Sequence, residues 1–190
     1  MEDILRKFAD ILSGTLDNQA QIDAEIAAGK QIHPYAKHVT AVCDHIIMNR
    51  PPDHPGVYIL EESYYIQPGE TEIQLKPLFF YVLASGKDTA LLHSMQVPET
   101  LDPKEVTNDN GALVFDWNTL VPRPWGPAPY VWHEDRQCFT VDHEDPIGPD
   151  MTFRLTETLK DGELFVMERI TKNGVQITPY DTPIHYIKIK

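Results

Sequence analysis

The sequence predicts a mainly β protein, an antiparallel barrel of about ten strands that follows one or two N-terminal helices. Three observations indicate this class: a helical period of apolar residues at the N-terminus, a period of two from Val39 onward, and short turns between the strands. Turns of this length leave no room for crossover helices, so consecutive strands pair antiparallel. A barrel is favoured over an open sandwich because closure removes the edge strands, and its interior can hold one small ligand.

The N-terminal segment predicts a helical lid over residues 1–30 of a single domain, whose barrel occupies residues 39–190. Apolar side chains recur on one face of the first helix, which ends before Gly14. A second, shorter helix follows a cap at Asp17 or Asn18. The two helices are therefore expected to cover the barrel rather than to contribute to its wall.

The strands are then predicted in order between turn residues, over residues 40–48, 57–66, 73–84, 89–97, 112–117, 130–132, 137–141, 151–159, 163–171 and 184–190. Asp161-Gly162 is the strongest hairpin signal. The proline-dense stretch 121–130 cannot lie in a central ladder and predicts a loop, and residues 145–150 are expected to break the chain again. In the last strand, Ile187 and Ile189 are expected to face the interior and the lysines to face solvent.

The charge of the chain excludes some classes of partner. Its 16 lysines and arginines and 29 acidic residues give a formal net charge of −13, which repels nucleic acid and anionic membrane surfaces. No apolar run approaches the ~20 residues of a membrane span, and the N-terminus has no uninterrupted apolar stretch typical of a signal peptide. Two cysteines, Cys43 and Cys138, favour a reducing compartment. A soluble, cytoplasmic protein is expected.

The eight histidines do not predict a metal site. His133 and His143 flank a hairpin and have acidic neighbours, but a metal needs three or four convergent ligands and the strand pattern there does not supply them. Phosphate-binding glycine loops and zinc-protease motifs are also missing from the sequence. We therefore expect no metal and no cofactor.

Two consecutive carboxylates, Glu61 and Glu62, lie in the middle of the strand predicted over residues 57–66. Because side chains alternate on a strand, one of them must point into the barrel, where an unpartnered charge is costly. An inward acid among tyrosines can exchange a proton with a nitrogen-rich or hydroxylated ligand. The alternative is a purely structural ion pair with one of three arginines, Arg50, Arg123 or Arg154.

Aromatic residues surround the proline-dense loop, namely Trp117, Trp125, Tyr130 and Trp132. Rings of this kind at a barrel mouth form good walls for a flat, conjugated ligand. Core filling is the alternative role of these rings, and it is the favoured one.

Several short patches also resemble a known family. The segment LSGTLDNQAQ (residues 12–21) fits a Leu-x-Gly-x-Phe-x-Asn-x-x-Gln pattern, with Leu16 in place of the aromatic residue. Ile59-Leu60-Glu61-Glu62-Ser63-Tyr64 is similar to a Tyr-Val-Glu-Gln-Ala-Tyr strand, matching at Glu61 and Tyr64. Arg50, Cys138 and the closing hairpin after Asp161-Gly162 fit as well. These patches resemble the CpcT/CpeT family of chromophore lyases.

The resemblance implies a lipocalin-like, ten-stranded barrel that binds a linear tetrapyrrole (bilin) and attaches it to a cysteine of a phycobiliprotein-like acceptor. The enzyme activity implied is that of a lyase that forms a C–S bond. By this resemblance Glu61 is the proton donor and Tyr64 its hydrogen-bonding neighbour, Arg50 contacts an anion, and Glu62 is the alternate inward acid. Cys138 and Trp132 complete the expected ligand-binding set.

One segment departs from the family. Where the family has an Asp-Pro-Tyr-Arg-x-Arg-type stretch, whose arginines suit bilin propionates, residues 71–77 contain one lysine and no arginine. Two alternatives to the lyase therefore stay open: a non-enzymatic carrier of a small hydrophobic ligand, and a barrel whose interior is filled by its own side chains. The sequence also leaves a homodimer open.

Overall fold

The computed structural model describes residues 3–189 and contains two helices and thirteen strands. The helices are α1 (Asp3–Leu12) and α2 (Gln19–Ala27). The strands are β1 (Gly14–Asp17), β2 (Tyr35–Val42), β3 (Ile47–Met48), β4 (Val57–Ile66), β5 (Gln74–Ser85), β6 (Thr89–Met95), β7 (Phe115–Asp116), β8 (Ala128–His133), β9 (Cys138–Gly148), β10 (Met151–Lys160), β11 (Glu163–Lys172), β12 (Val175–Gln176) and β13 (Ile184–Ile189).

Ten of these strands close into an antiparallel barrel in the order β10-β9-β8-β6-β5-β4-β2-β1-β13-β11, and β11 pairs with β10 to complete the ring. The β10–β11 hairpin pairs from Met151↔Lys172 to Lys160↔Glu163 around the predicted Asp161-Gly162 turn. Gly162 has a φ of +80° there, in the left-handed region that favours glycine. The predicted fold class, a lipocalin-like antiparallel barrel with N-terminal helices, is confirmed.

Three short strands lie outside the ring. β3 and β7 pair with each other in parallel, and β12 extends the hairpin beyond the end of β11. Of the strand predicted over residues 112–117, only the two residues of β7 form a strand, and they lie in the loop that follows β6. Neither of the two described helices is long and apolar enough to cross a membrane.

Some predicted boundaries were wrong. β1 was not predicted, and β2 begins at Tyr35 and ends at Val42, so wall strands lie within and just after the segment expected to be a lid. β9 continues through the predicted break and reaches Gly148, because its partner β10 stays paired with it beyond Pro146 after a register shift. In each case pairing with a neighbouring strand overrides the local signal.

The pairing register fixes which side chains face the barrel interior, because residues directly opposite each other share a face. Ile184 and Tyr186 lie opposite Val166 and Leu164, and all four are buried. Ile187 is therefore turned outward and is 41% exposed. The predicted orientation of the last strand was wrong, because alternation identifies two faces without saying which one is inside.

Helix α1 closes one end of the barrel with its apolar face, Ile4, Leu5, Phe8 and Leu12. The Phe8 ring is fully buried, and its edge meets the rings of Tyr130 and Phe139 at centroid distances of 5.0 and 5.2 Å. Burying a phenylalanine of this kind contributes about 2–3 kcal/mol. Helix α2 packs against the wall at β2 and β13 and buries Ile22. The covering role predicted for the N-terminal segment thus falls to α1.

A second core lies on the outer face of β4, β5 and β6. Residues 43–56 and 96–127 pack there against outward-pointing side chains of the wall, with Leu60, Phe79, Met95, Val106, Leu113 and Phe115 among the buried residues. The wall between the two cores is therefore buried on both faces, which is why nearly all of β4 is buried.

Candidate functional site

Three carboxyl groups point into the barrel from three strands. Glu61 of β4 lies opposite Thr40, Glu157 of β10 lies opposite Val141 and Val166, and Glu168 of β11 lies opposite Leu155. We call these three residues, Glu61, Glu157 and Glu168, the inner acidic cluster. Burial of such groups is unfavourable unless they find a proton, a hydrogen bond or a counter-ion. The hydrogen bonds and ion pairs that each carboxyl group makes therefore show which partners are missing from the interior.

Glu61 is buried and has its own hydrogen-bond donors. Ser63 Oγ donates to Glu61 Oε1 over 2.7 Å, and Thr40 Oγ1 donates to Glu61 Oε2 over 3.3 Å. His38 Nδ1 is 3.4 Å from Glu61 Oε1, but this nitrogen has no hydrogen bond to any described residue, although His38 is only 6% exposed. Burial lowers the pKa of His38, while Glu61 opposes the shift. A neutral imidazole with an unused nitrogen therefore stands beside Glu61.

Glu157 accepts a hydrogen bond from Tyr130 Oη over 2.6 Å. Burial raises the pKa of Glu157 to about 8, and the neighbouring Glu61 and Glu168 contribute in the same direction. At neutral pH this carboxyl group holds a proton. It is thus an acid that can give up that proton when a positive charge arrives.

Glu168 has no hydrogen bond or ion pair through its carboxyl group within residues 3–189, and its side chain remains exposed. Burial nevertheless raises the pKa of Glu168, and Glu61 adds to the shift, whereas Lys76 opposes it. Glu168 lies opposite the partly buried Leu155 on the inward-alternating face of β11, and its side chain keeps contact with solvent there.

Tyrosines surround the acids. Tyr65 Oη is 3.4 Å from His38 Nε2, and the Tyr186 ring packs on the His38 ring with the centroids 4.4 Å apart. Burial raises the pKa of both tyrosines. Their hydroxyl groups thus stay protonated and available as hydrogen-bond donors. Lys76 Nζ lies 5.4 Å above the Tyr65 ring, at the end of the barrel opposite α1. Helix α1 covers the other end.

Only Glu61 of the predicted site residues belongs to this interior site. Glu62 points outward, where its Oε1 accepts hydrogen bonds from Asn108 N over 2.8 Å and from Asn108 Nδ2 over 2.9 Å. Tyr64 also points outward and donates its hydroxyl to Glu62 Oε2. This pair fastens the loop of residues 96–127 to the outer wall.

The predicted arginine and tryptophan contacts lie elsewhere. Arg50 pairs with Asp44 over 2.7 Å and donates to the carbonyl groups of His54 and Gly56, on the outer wall. Trp132 is on the inner face at the end covered by α1, where its ring packs 4.9 Å from that of Phe139. It helps to close the barrel rather than to line the acidic region.

The two cysteines are free and buried. Cys138 alternates with the inward-pointing Phe139 and therefore lies on the other face of β9, opposite Lys160. Burial raises the pKa of Cys43 to about 12, so its thiol is not a nucleophile at neutral pH.

The sequence leaves open a purely structural ion pair between the inward acid and one of three arginines. The structure places all three arginines elsewhere. Arg154 pairs with Asp142 through two hydrogen bonds of 2.6 and 2.7 Å on the outer surface, and the Arg123 guanidinium lies over the Trp125 ring. Together with the Arg50–Asp44 pair, these contacts leave none of the three candidate arginines to neutralise Glu61.

Sequence reasoning missed His38, Glu157 and Glu168. A signal existed: in β10 and β11 each acid interrupts an otherwise apolar alternating series, Phe153-Leu155-Glu157-Leu159 and Leu164-Val166-Glu168-Ile170. The described residues contain no group of three histidines, cysteines or acids placed to hold a metal ion.

Comparison of the chain with protein-family models, with curated proteins and with solved structures returned no match. The resemblance to the CpcT/CpeT family therefore rests on the sequence patches alone, and the site has to be interpreted from its own chemistry.

Proposed function

We propose that this protein is a binding protein, which takes a small organic molecule with a protonated nitrogen into the barrel from the end opposite α1. One observation carries the proposal: Glu168 alternates with inward-pointing residues of β11, is accessible, has no partner for its carboxyl group in the described structure, and has Glu61 as an acidic neighbour. The Glu168 carboxyl group lacks a positively charged partner, and a cationic ligand would supply one.

The electrostatics give the direction of the binding reaction. Glu157 and Glu168 have raised pKa values because burial and the neighbouring acidic side chains oppose their ionisation. An ammonium, amidinium or protonated heterocycle beside them would stabilise the ionised forms and expel their protons. Binding of a cation is therefore expected to release protons, more at pH 7 than at pH 9.

The walls suit the rest of such a molecule. Phe80 and Leu155 are only partly buried and pack against the inner core, and hydroxyl groups of Tyr65 and Tyr130 point into the same space. Apolar rings and aliphatic side chains would cover the body of a ligand, while the tyrosines would bind its polar substituents.

The test compares two ligands that differ only in charge. Isothermal titration calorimetry with 1-naphthylmethylamine and with the neutral 1-naphthylmethanol should show at least tenfold tighter binding of the amine. Glu168→Gln should abolish that difference, since it keeps the shape of the side chain and removes the charge. Glu163→Gln is the matched control, because Glu163 contacts Lys160 and His185 rather than the inner acidic cluster. Equal affinities for both ligands would contradict the proposal.

A second candidate function is bilin attachment, which the inward orientation of Glu61 supports. Glu61, with Ser63 and His38 beside it, would protonate a bound tetrapyrrole while the thiolate of an acceptor protein forms a C–S bond to the ethylidene carbon. The electron pair of the broken C=C bond moves into the conjugated system, which takes up the proton. Titration with phycocyanobilin should give a red-shifted absorbance that Glu61→Gln weakens and Glu62→Gln leaves intact. No spectral change at micromolar protein would contradict this function and leave the amine-binding proposal standing.

A further inference from the structure

A separate cavity of about 450 Å³ opens on the outside of the barrel wall. It lies between the outer faces of β4, β5 and β6 on one side and the loop of residues 96–127 on the other. Its walls include His54, Tyr58, Tyr81, His93, Trp117 and Asn118. Ligand pockets typically measure about 300–1,000 Å³, so the volume suits a molecule of one or two rings. We call this space the outer cavity.

A continuous stack of rings forms the floor of the outer cavity. His54 lies 5.1 Å from Tyr81 at an interplanar angle of 19°, and Tyr81 lies 4.8 Å from Tyr58 at 28°. The stack continues into the second core through Phe79 and Phe115, with centroid distances of 5.5 and 4.6 Å. Because Phe79 and Phe115 are buried, the rings at the cavity are held rigidly. Such a floor is preorganised for a flat ligand.

Trp117 forms the opposite side. Its ring centroid is 5.3 Å from that of His54 and the two ring planes make an angle of 71°, so the indole forms a side wall roughly perpendicular to the stack. Offset and edge-to-face contacts are the favourable geometries between aromatic rings. A flat molecule lying on the stack would therefore meet Trp117 at its edge.

The lining of the outer cavity carries no net charge at neutral pH within the described residues. Burial lowers the pKa of His54, and Arg50 adds to the shift, while burial also lowers the pKa of His93. Of the charged residues near the cavity, Arg50 and Asp44 neutralise each other in their ion pair, and Asp116 accepts hydrogen bonds from Asn49 and Asn118. The Arg50 guanidinium already lies 5.4 Å from the Tyr58 ring, which disfavours a second cation there. A neutral occupant fits these electrostatics.

The His54 ring gives the site an anchor. Neither nitrogen of this ring bonds to a residue within 3–189: Nε2 is enclosed, whereas Nδ1 keeps access to solvent. A ligand with one hydroxyl or amide group at its edge would supply the partner that Nδ1 lacks.

We infer that the outer cavity is a second binding site, separate from the barrel interior, for a neutral, planar aromatic compound of about two fused rings that carries one hydrogen-bonding substituent directed at His54. The stack and Trp117 bind the ring faces and edges, and His54 Nδ1 selects the polar substituent. The inner acidic cluster takes no part in this site.

The test uses a set of ligands of one shape. Titrations with 2-naphthol, 2-methylnaphthalene, 2-naphthoate and the 2-naphthyltrimethylammonium ion are followed by ¹H–¹⁵N NMR. 2-Naphthol should bind at least fivefold more tightly than each of the others and should shift the indole N–H signal of Trp117. Tightest binding of the ammonium or of the carboxylate, or shifts confined to the barrel interior, would overturn the inference.

Two variants and two controls locate the site. Trp117→Leu should weaken 2-naphthol binding at least tenfold. His54→Phe keeps a ring in the stack and removes both ring nitrogens, including Nδ1, so it should bring 2-naphthol down to the affinity of 2-methylnaphthalene. Trp125→Leu is the matched control, because Trp125 is an exposed tryptophan outside the cavity. If Trp117→Leu unfolds, the His54→Phe result decides: an unchanged preference for 2-naphthol overturns the inference. Glu168→Gln should leave 2-naphthol binding unchanged, which separates this site from the interior one.

Discussion

Glu61 and Glu62 are adjacent in β4, and their carboxyl groups lie on opposite sides of the barrel wall. Glu61 is directed inside, with Ser63 and Thr40 as donors, whereas Glu62 is directed outside, with Asn108 and Tyr64 as donors. Both are buried, at 6% and 5% exposure, because the second core covers the outer face of this strand. β4 thus supplies a carboxyl group to the barrel interior through Glu61 and attaches the loop of residues 96–127 to the outer wall through Glu62.

The anchor gives the first prediction. Glu62→Ala removes the acceptor of two Asn108 hydrogen bonds and one from Tyr64, and it leaves the half-buried Asn108 backbone N–H without its partner, so it should lower the free energy of unfolding by about 2–4 kcal/mol. Urea unfolding followed by circular dichroism measures the loss. A double-mutant cycle with Asn108→Ala checks the cause: if the two losses simply add, the contact does not hold the loop.

The second prediction concerns pH. Folded Glu157 retains its proton up to a pKa of about 8, whereas the unfolded chain releases it near the ordinary value of 4.5. Between these values the folded state binds more protons, so stability falls as pH rises through that window. Glu157→Gln should remove this slope and be more stable than the parent at pH 8 by more than about 1 kcal/mol. Thermal unfolding at pH 5 and pH 8 measures both.

The third prediction concerns closure by α1. Phe8→Ala should lower the free energy of unfolding by about 3–5 kcal/mol, because it leaves a cavity between Tyr130 and Phe139. Ile26→Ala, at a helical position that is 58% exposed, is the control and should change stability by less than about 0.5 kcal/mol. Similar losses for both variants would mean that α1 does not close the barrel as described.

The fourth prediction concerns the thiols. Because burial raises the pKa of Cys43 to about 12 and Cys138 is also buried, neither should react with a disulfide reagent in the native protein at pH 8. Both should react once the chain is unfolded in urea. Release of chromophore from Ellman's reagent counts the reacting thiols, and rapid native reaction would contradict the buried placement.

The sequence predicts the barrel because its hairpin turns are local, whereas the boundaries depend on partners far along the chain. β1 has four residues, and Leu16 is the only one of them that is buried, so no local pattern identifies it as a strand. It pairs with β2 on one side and β13 on the other. Its place is set by these neighbours, which the sequence alone does not indicate.

The interior site could be predicted only in part. Glu61 was identified from its place in a strongly patterned strand, but the choice between Glu61 and Glu62 depends on which face of β4 is inside. Glu157 and Glu168 come from a hairpin separated from Glu61 by about half the chain, and only closure of the ring brings the three together. The aromatic residues of the outer cavity likewise meet only through the packing of a long loop.

The position of β13 in the ring has a consequence for biosynthesis. β13 is the last described strand, yet it stands between β1 and β11, so the ring cannot close until synthesis has passed Ile189. While the chain is growing, β1 and β11 each present an unpaired edge, the kind of surface that recruits other nascent chains. Removal of β13 would leave the barrel permanently open between β1 and β11. We expect aggregation during translation as the first effect of such a truncation, before any loss of ligand affinity.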